Sequence, residues 1–235
     1  MVIAGIVAGG TGSRMGDALP KQFTCLCGKP IIIHTVEKFL NHRGIDGIII
    51  GVTPEWLDYC NELKSACFSG NNRIITVAGG YDRNATVNNI AEAAADFFGA
   101  SDNDILVTHD AVRPFVTDVM ISENIQTAAA HGVCTTAIGA TDTIACSEDG
   151  TNISELPIRN TMYQVQTPQT FKLGDFKRVY ATMKRSELDT VTDVCKMFKC
   201  RNYNVKLVKG CVSNIKITYP LDMKIAEIIC LGTVK

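Results

Sequence analysis

Short apolar runs of strand length alternate along this chain with stretches whose apolar residues recur every three to four positions. Residues 2–8, 45–52, 73–77, 105–108 and 133–138 are the runs, and their near-continuous apolar character predicts strands buried on both faces. Residues 31–40, 55–65, 84–97 and 118–130 carry the helical pattern between them. Pro30 stands at a first-turn position, and Asp118 serves as an N-terminal cap or first-turn acid. A βαβα rhythm of this kind predicts an α/β fold, a mostly parallel sheet with helices on both faces. Ligands of such sheets sit at the carboxyl ends of the strands, so the loops after Ala8, Val77, Thr108 and Ile138 are the ones to inspect.

The rhythm changes after residue 140. Residues 141–163 alternate short polar and apolar positions around Asp149-Gly150, a hairpin-turn pair, and predict a protruding β-arm. An arm that leaves its core needs something to pack against, which points to a homodimer. Residues 173–199 then read as helical, 205–208 as a strand and 221–230 as a closing helix after Pro220. No repeat or linker interrupts the sequence, so residues 1–235 are expected to form a single domain.

Composition narrows the function. With 46% hydrophobic and 20% charged residues the chain can bury a full core, and a net charge of −1 gives nucleic acid or an anionic membrane no purchase. The N-terminus lacks a basic segment before its apolar run, and the apolar stretches are short, so a cytoplasmic protein without a membrane span is expected. The ten cysteines are scattered and are expected to be reduced and mostly buried. Cys25-Leu26-Cys27 lacks the second ligand pair that a zinc site needs.

The chemistry concentrates in loops. Residues 6–22, IVAGGTGSRMGDALPKQ, run a strand into small residues and then present Arg14 and Lys21. Gly5, Gly9, Gly10, Gly12 and Gly16 let backbone N–H groups approach an anion, and the two cations would neutralise charge on a phosphoryl group. Neither the Walker spacing nor the dinucleotide fingerprint is present. A glycine-rich strand-to-helix turn without function is the plainer alternative. Residues 78–86, AGGYDRNAT, offer paired glycines, Arg83 as an anion partner and Thr86 to a base edge; a capped helix start is the alternative. Residues 108–115, THDAVRPF, place Asp110 directly after a strand, where it suits Mg²⁺, with Arg113 reaching a second anion or simply pairing with Asp110. His109 is read as structural, since no nucleophile elbow accompanies it. Residues 164–171, QVQTPQTF, read as a polar turn of the kind that lines a site. Lys216 lies in a strand-like run, 213–218, where a lysine usually faces water.

Taken in order, AGGTGSRMG with PKQ, GGYDR, HDAVRPF, QTPQTF and NIKIT resemble the cytidylyltransferases that couple CTP to a polyol phosphate, across nearly the whole chain. The resemblance implies a Rossmann-like nucleotidyltransferase sheet, and Val7, Ala8, Gly9 and Gly10 holding the triphosphate. Arg14 and Lys21 would stabilise the transition state, and Gly80, Tyr81, Asp82, Arg83 and Thr86 would recognise the cytidine, with Ala111 beside it. Asp110 would bind Mg²⁺, while Arg159 and Lys216 place the second substrate, with Arg113 and Thr167 contributing. The arm would embrace a second subunit, so that Arg159 serves either its own or the partner's site. Tyr81 departs from the acidic or polar residue typical of the family at that place. The acceptor phosphate would then attack the α-phosphorus of CTP in line and expel pyrophosphate, with no nucleophilic side chain. THDAVRPF, YQVQTPQTF and residues 192–196 (TDVCK), set against the DAARP and TDEAS of the isoprenoid-pathway members, place the chain nearer the ribitol type. D-ribitol 5-phosphate is therefore the expected acceptor and 2-C-methyl-D-erythritol 4-phosphate the second. A nucleotide-binding regulatory protein and a dinucleotide oxidoreductase are the readings from other classes. The full cation set opposes the first. The glycine spacing and the lack of an acid closing the second strand near Val52 oppose the second.

Overall fold

A computed structural model describes residues 1–10, 19–191 and 193–232. Arg14, Gly12, Gly16 and Thr192 lie outside them. In chain order the elements are β1 (Val2–Ala8), the short hairpin strands β2 (Cys25–Leu26) and β3 (Lys29–Pro30), α1 (Ile31–Leu40), β4 (Gly47–Val52), α2 (Leu57–Cys67) and β5 (Ile74–Ala78). There follow α3 (Arg83–Phe98), β6 (Ile105–Asp110), α4 (Asp118–His131), β7 (Val133–Gly139) and β8 (Tyr163–Lys172). The chain closes with α5 (Leu173–Thr182), α6 (Arg185–Leu188), α7 (Val194–Cys200), β9 (Lys206–Lys209) and α8 (Pro220–Cys230). Among the described residues seven strands form one sheet, ordered β5-β4-β1-β6-β8-β7-β9. All neighbours are parallel except β8, which runs antiparallel to both β6 and β7.

Each strand face buries against its own helical layer. Ala4, Ile6 and Ala8 of β1, with Ile48, Ile50 and Val52 of β4, pack on Val36 and Phe39 of α1, Cys60 of α2 and Ile121 of α4. The alternate positions, Ile3 and Ile49, pack on Val87 and Ile90 of α3 and on a cluster with Phe171, Phe176 and Phe198. This is the period-two alternation of a sheet covered on both sides. Gly5 and Gly51 face α3, where a Cβ would meet Ile90 Cγ2 at 2.9 Å and Thr86 Cγ2 at 2.7 Å. Gly5 therefore serves the close seating of α3 on the sheet, in place of the phosphate contact expected of it.

The predicted strands and helices appear with shifts of a few residues at their ends. Other local readings are corrected. Residues 164–171 form most of β8, an interior strand whose Gln166, Thr167, Gln169 and Thr170 side chains are buried and bonded to residues of other segments. Thr170 Oγ1 donates to Asn124 Oδ1 at 3.4 Å, Asn124 Nδ2 to Thr136 Oγ1 at 2.8 Å, and Gln166 Nε2 to Cys211 O at 2.9 Å. Hydrogen bonding here replaces apolar packing, so hydrophobic alternation could not reveal the strand. The helical stretch 173–199 is three helices. Residues 213–218 are irregular, although Ile217 is buried against Leu26, Ile31 and Val112. Thr117 caps α4 by accepting from Met120 N, leaving Asp118 as the first-turn acid, and Pro30 sits at the N-cap of α1. The arm, 141–163, is held by a single antiparallel bridge between Cys146 and Glu155, with Asp149 Oδ1 accepting from Thr151 N and Asn152 N at its tip. The cysteines are free thiols, but only Cys60, Cys134 and Cys195 are buried, against the expectation that most would be. Among the described residues no helix is long and apolar enough to cross a membrane.

His109 is a fully buried member of β6, 5.1 Å from the Phe39 ring. Its Nε2–H donates to Arg113 O at 2.9 Å, so Nδ1 accepts from Thr167 Oγ1 at 3.0 Å. Burial pushes its pKa down from 6.5 to about 4, with the Arg113 carbonyl and Asp110 opposing. Between those values the unfolded chain binds a proton that the folded chain refuses. Stability therefore falls as pH drops from about 6.5 towards about 4, and this group alone removes about 2 kcal/mol between pH 7 and pH 5. Urea unfolding at the two pH values will show that loss in the native chain and a correspondingly smaller one in His109→Gln; equal pH dependence in both would refute it.

Candidate active site

Chain order runs β1, β4, β5 outward in one direction, then returns past β1 to β6, so the connections diverge between β1 and β6. A crevice opens at the carboxyl ends of the strands at such a switch point. Here it is a cleft of about 610 Å³ built from the segments after β1, β4, β5 and β6, with Lys21 and Lys216 brought in from outside the sheet.

The segment after β5 is shaped by the start of α3. Asp82 caps the helix, its Oδ1 accepting from Ala85 N at 2.7 Å. Thr86 Oγ1 donates to Asp82 O at 2.8 Å and accepts from Gly80 N at 3.0 Å, so its hydroxyl braces the glycine loop. A Cβ on Gly80 would lie 2.3 Å from that of Ala85, so the loop closes this tightly only with glycine. Tyr81 is exposed at the rim, with the Arg185 guanidinium 3.9 Å above its ring centre.

Asp110 forms the floor. Its Oδ1 accepts from Arg83 Nε at 3.4 Å and Nη2 at 3.3 Å; its Oδ2 meets Lys216 Nζ at 3.0 Å and Arg113 Nε at 3.5 Å. Burial alone would raise this carboxyl, but Arg83, Lys216 and Arg113 outweigh it and hold Asp110 far below the usual carboxylate range, ionised at any working pH. Arg83 leaves Nη1 buried without a hydrogen-bond partner among the described residues, a donor unspent on protein. Lys21 is buried at the cleft wall, on the 3-10 turn Lys21–Phe23. Gln22 Nε2 ties that turn to Ala8 O at 2.7 Å, and the Phe23 ring packs edge-on to Tyr59 at 4.9 Å.

Most of the residues singled out in the sequence converge here. Val7, Ala8, Gly9, Gly10, Lys21, Gly80, Tyr81, Asp82, Arg83, Thr86, Asp110, Ala111 and Lys216 all line the cleft. Arg113 and Thr167 do not. Arg113 lies behind Asp110 with Nη1 on Asn214 O at 2.8 Å, and Thr167 accepts from Asp110 N at 3.2 Å; both orient the acid from within the fold. The internal pair read for Asp110 and Arg113 is present. Arg159 is exposed on the arm, its Nη1 3.5 Å from Thr141 O, and does not line the cleft of its own chain. Lys216 faces Asp110 and not simply water. Thr53, Pro54 and Glu55 line the cleft and were missed, although the rule that inspects the ends of parallel strands applies equally to β4. Glu55 also supplies an acid close to Val52, which removes one of the two grounds against a dinucleotide site.

Asp110 is the one carboxylate on the floor, the hard-oxygen donor that Mg²⁺ takes, and since both its oxygens already meet Arg83, Lys216 and Arg113, a Mg²⁺ bound there would replace one of those cations. Among the described residues no three ligating side chains form a self-sufficient metal site.

Residues 2–231 match the family described as IspD, 2-C-methyl-D-erythritol 4-phosphate cytidylyltransferase. The chain is similar to the 4-diphosphocytidyl-2C-methyl-D-erythritol synthase of Anaerococcus prevotii, at 25% identity and a TM-score of 0.80 over 98% of this chain and 96% of that one. The 2-C-methyl-D-erythritol 4-phosphate cytidylyltransferase of Francisella tularensis shares the fold, with 24% identity and a TM-score of 0.80 over 96% and 97% of the two chains. That of Thermus thermophilus does so with 24% identity and a TM-score of 0.72 over 99% and 98%. A cleft that gathers the ordered motifs, inside a match that runs almost end to end, places this chain in the 2-C-methyl-D-erythritol 4-phosphate cytidylyltransferase family, whose members are nucleotidyltransferases.

Proposed function

We propose that this chain transfers CMP from CTP to 2-C-methyl-D-erythritol 4-phosphate, releasing pyrophosphate. The observation that carries the reading is the family match over residues 2–231, whose motifs meet in one cleft. The match supports methylerythritol phosphate over ribitol 5-phosphate, the acceptor expected first from the sequence. Of the residues behind that expectation, Cys195 is buried beside Cys134 and serves packing, whereas Val112, which stands where DAARP has alanine, is buried with Leu26, Ile31 and Ile217 and also lines the cleft. The difference at Cys195 follows its neighbours' volumes and says little about an acceptor.

In this mechanism the protein does no covalent work. Backbone N–H groups of Gly9 and Gly10 and the Lys21 ammonium hold the triphosphate, and the glycine loop braced by Thr86 shapes the nucleoside subsite. Arg83 and Lys216, kept in place by Asp110, present positive charge to two anions that would otherwise repel. Fixing the acceptor phosphate against the α-phosphorus makes the in-line displacement effectively intramolecular, and the same cations take up the charge of the departing pyrophosphate. Asp110 would hold Mg²⁺, which supplies further charge neutralisation to the triphosphate when bound. Arg14 is assigned to the same phosphates by its place in the first motif. The arm, with Ile153, Leu156 and Ile158 exposed, is proposed to clasp a second subunit and deliver Arg159 to that subunit's cleft.

Pyrophosphate release with CTP, Mg²⁺ and each acceptor tests the assignment. Methylerythritol phosphate is expected to exceed ribitol 5-phosphate by at least about tenfold in kcat/KM, the effect of roughly one well-placed interaction. The reverse order overturns the acceptor, and silence with both overturns the transferase. Lys21→Ala should lose about 10²–10³ in kcat, as when one preorganised charge donor is removed, with the fold intact by circular dichroism. Mixing inactive Lys21→Ala and Arg159→Ala chains should restore about a quarter of native activity, since half of randomly paired dimers hold one whole site. No recovery from chains shown to exchange would place Arg159 in its own subunit's site.

A further inference from the structure

Charge neutralisation leaves the aromatic ring of the glycine loop unused. Tyr81 lines the cleft yet stays 61% exposed, a ring held at a rim and not in a core. One of its faces is taken by the Arg185 guanidinium, 3.9 Å from the ring centre, in a cation–π stack. Arg185 does not line the cleft, so the guanidinium covers the ring from outside and the ring stands between it and the ligand space. The segment that presents Arg185 is fastened at several points. Arg201 grips Glu187 of α6 through both oxygens, Nη1 on Oε1 at 2.9 Å and Nη2 on Oε2 at 2.8 Å, and Leu188 is buried. Asn84 Nδ2 donates to Val191 O at 2.7 Å, which joins the segment to the first turn of α3, beside Arg83. The guanidinium is restrained in turn by Asp189, whose Oδ1 lies 3.2 Å from Arg185 Nε.

We propose that Arg185 is a positioning residue that acts through Tyr81, holding its ring as a stacking wall for the pyrimidine base; the inference rests on the CTP reading above. Of the two substrates only the nucleotide carries a planar π system, the surface that a tyrosine face fits by offset stacking. An exposed ring free to change rotamer loses that freedom when a base settles on it. The guanidinium on its outer face fixes the ring beforehand, so less of the stacking is lost to ordering. Every base has a π-face, so the pair adds affinity for the nucleotide and leaves the choice among bases to hydrogen bonds elsewhere in the cleft.

Calorimetric titration of the full chain with CTP and Mg²⁺ tests this without any acceptor. Tyr81→Ala should weaken CTP binding about 5–150-fold, the scale of one lost base–aromatic stack, and Tyr81→Phe should restore the native affinity. Arg185→Ala should weaken it about 2–5-fold, the scale of an exposed cation–π contact, and should add nothing in the Tyr81→Ala background, because the arginine acts only through the ring. Native affinity in Tyr81→Ala or in Arg185→Ala overturns the proposal. So does an Arg185→Ala loss that persists in full without the Tyr81 ring, which would put the guanidinium on the ligand itself. A native chain that fails to bind CTP overturns the nucleotide reading and this inference together, whereas native binding that Tyr81→Ala leaves undiminished overturns the inference alone.

Discussion

The buried carboxylate of Asp110 organises the molecule around its cleft. A charge taken out of water must be paired, and this one is paired three times, by Arg83 at the start of α3, Arg113 from the loop after β6 and Lys216 from the segment before α8. Those partners lie far apart in sequence. Leaving any of them unmade would expose the carboxylate to the full cost of burial, so the floor of the cleft and the closing segment of the chain are set by one electrostatic requirement. From behind, Thr167 accepts the Asp110 N–H and donates to His109, which donates in turn to Arg113 O. The acid is therefore held through side chain and backbone together.

That arrangement suits a reaction between two anions. The work lies in lowering their repulsion and fixing their geometry, and cations already oriented by a protein carboxylate need little rearrangement when phosphate arrives. The sheet contributes by placing loop ends side by side at the switch point. The glycines under α3 contribute by letting that helix sit close, so that its first turn, with Asp82, Arg83 and Thr86, reaches the cleft.

The parallel core was legible because its strands are continuously apolar and its helices strictly periodic. The Gly9-Gly10 and Gly79-Gly80 loops were legible because glycine pairs at strand ends have few structural purposes. β8 was hidden, since Gln166, Thr167, Gln169 and Thr170 gain their stability from hydrogen bonds to residues distant in sequence. Arg113 and Thr167 were given to substrate because a cation or hydroxyl beside a motif reads the same whether it faces the ligand or supports the acid that does. Glu55 escaped notice because nothing local distinguishes it from any charged residue opening a helix.

The sequence by itself determined the α/β architecture, the glycine loops that gather at the cleft and the residue types that meet there, because these follow from periodicity and from the steric freedom of glycine. Only the tertiary structure decided which cations face the cleft and which stand behind Asp110, and that Thr86 braces a loop. Those outcomes depend on where distant segments cross, and the crossing points are set by burial and charge pairing over the whole chain.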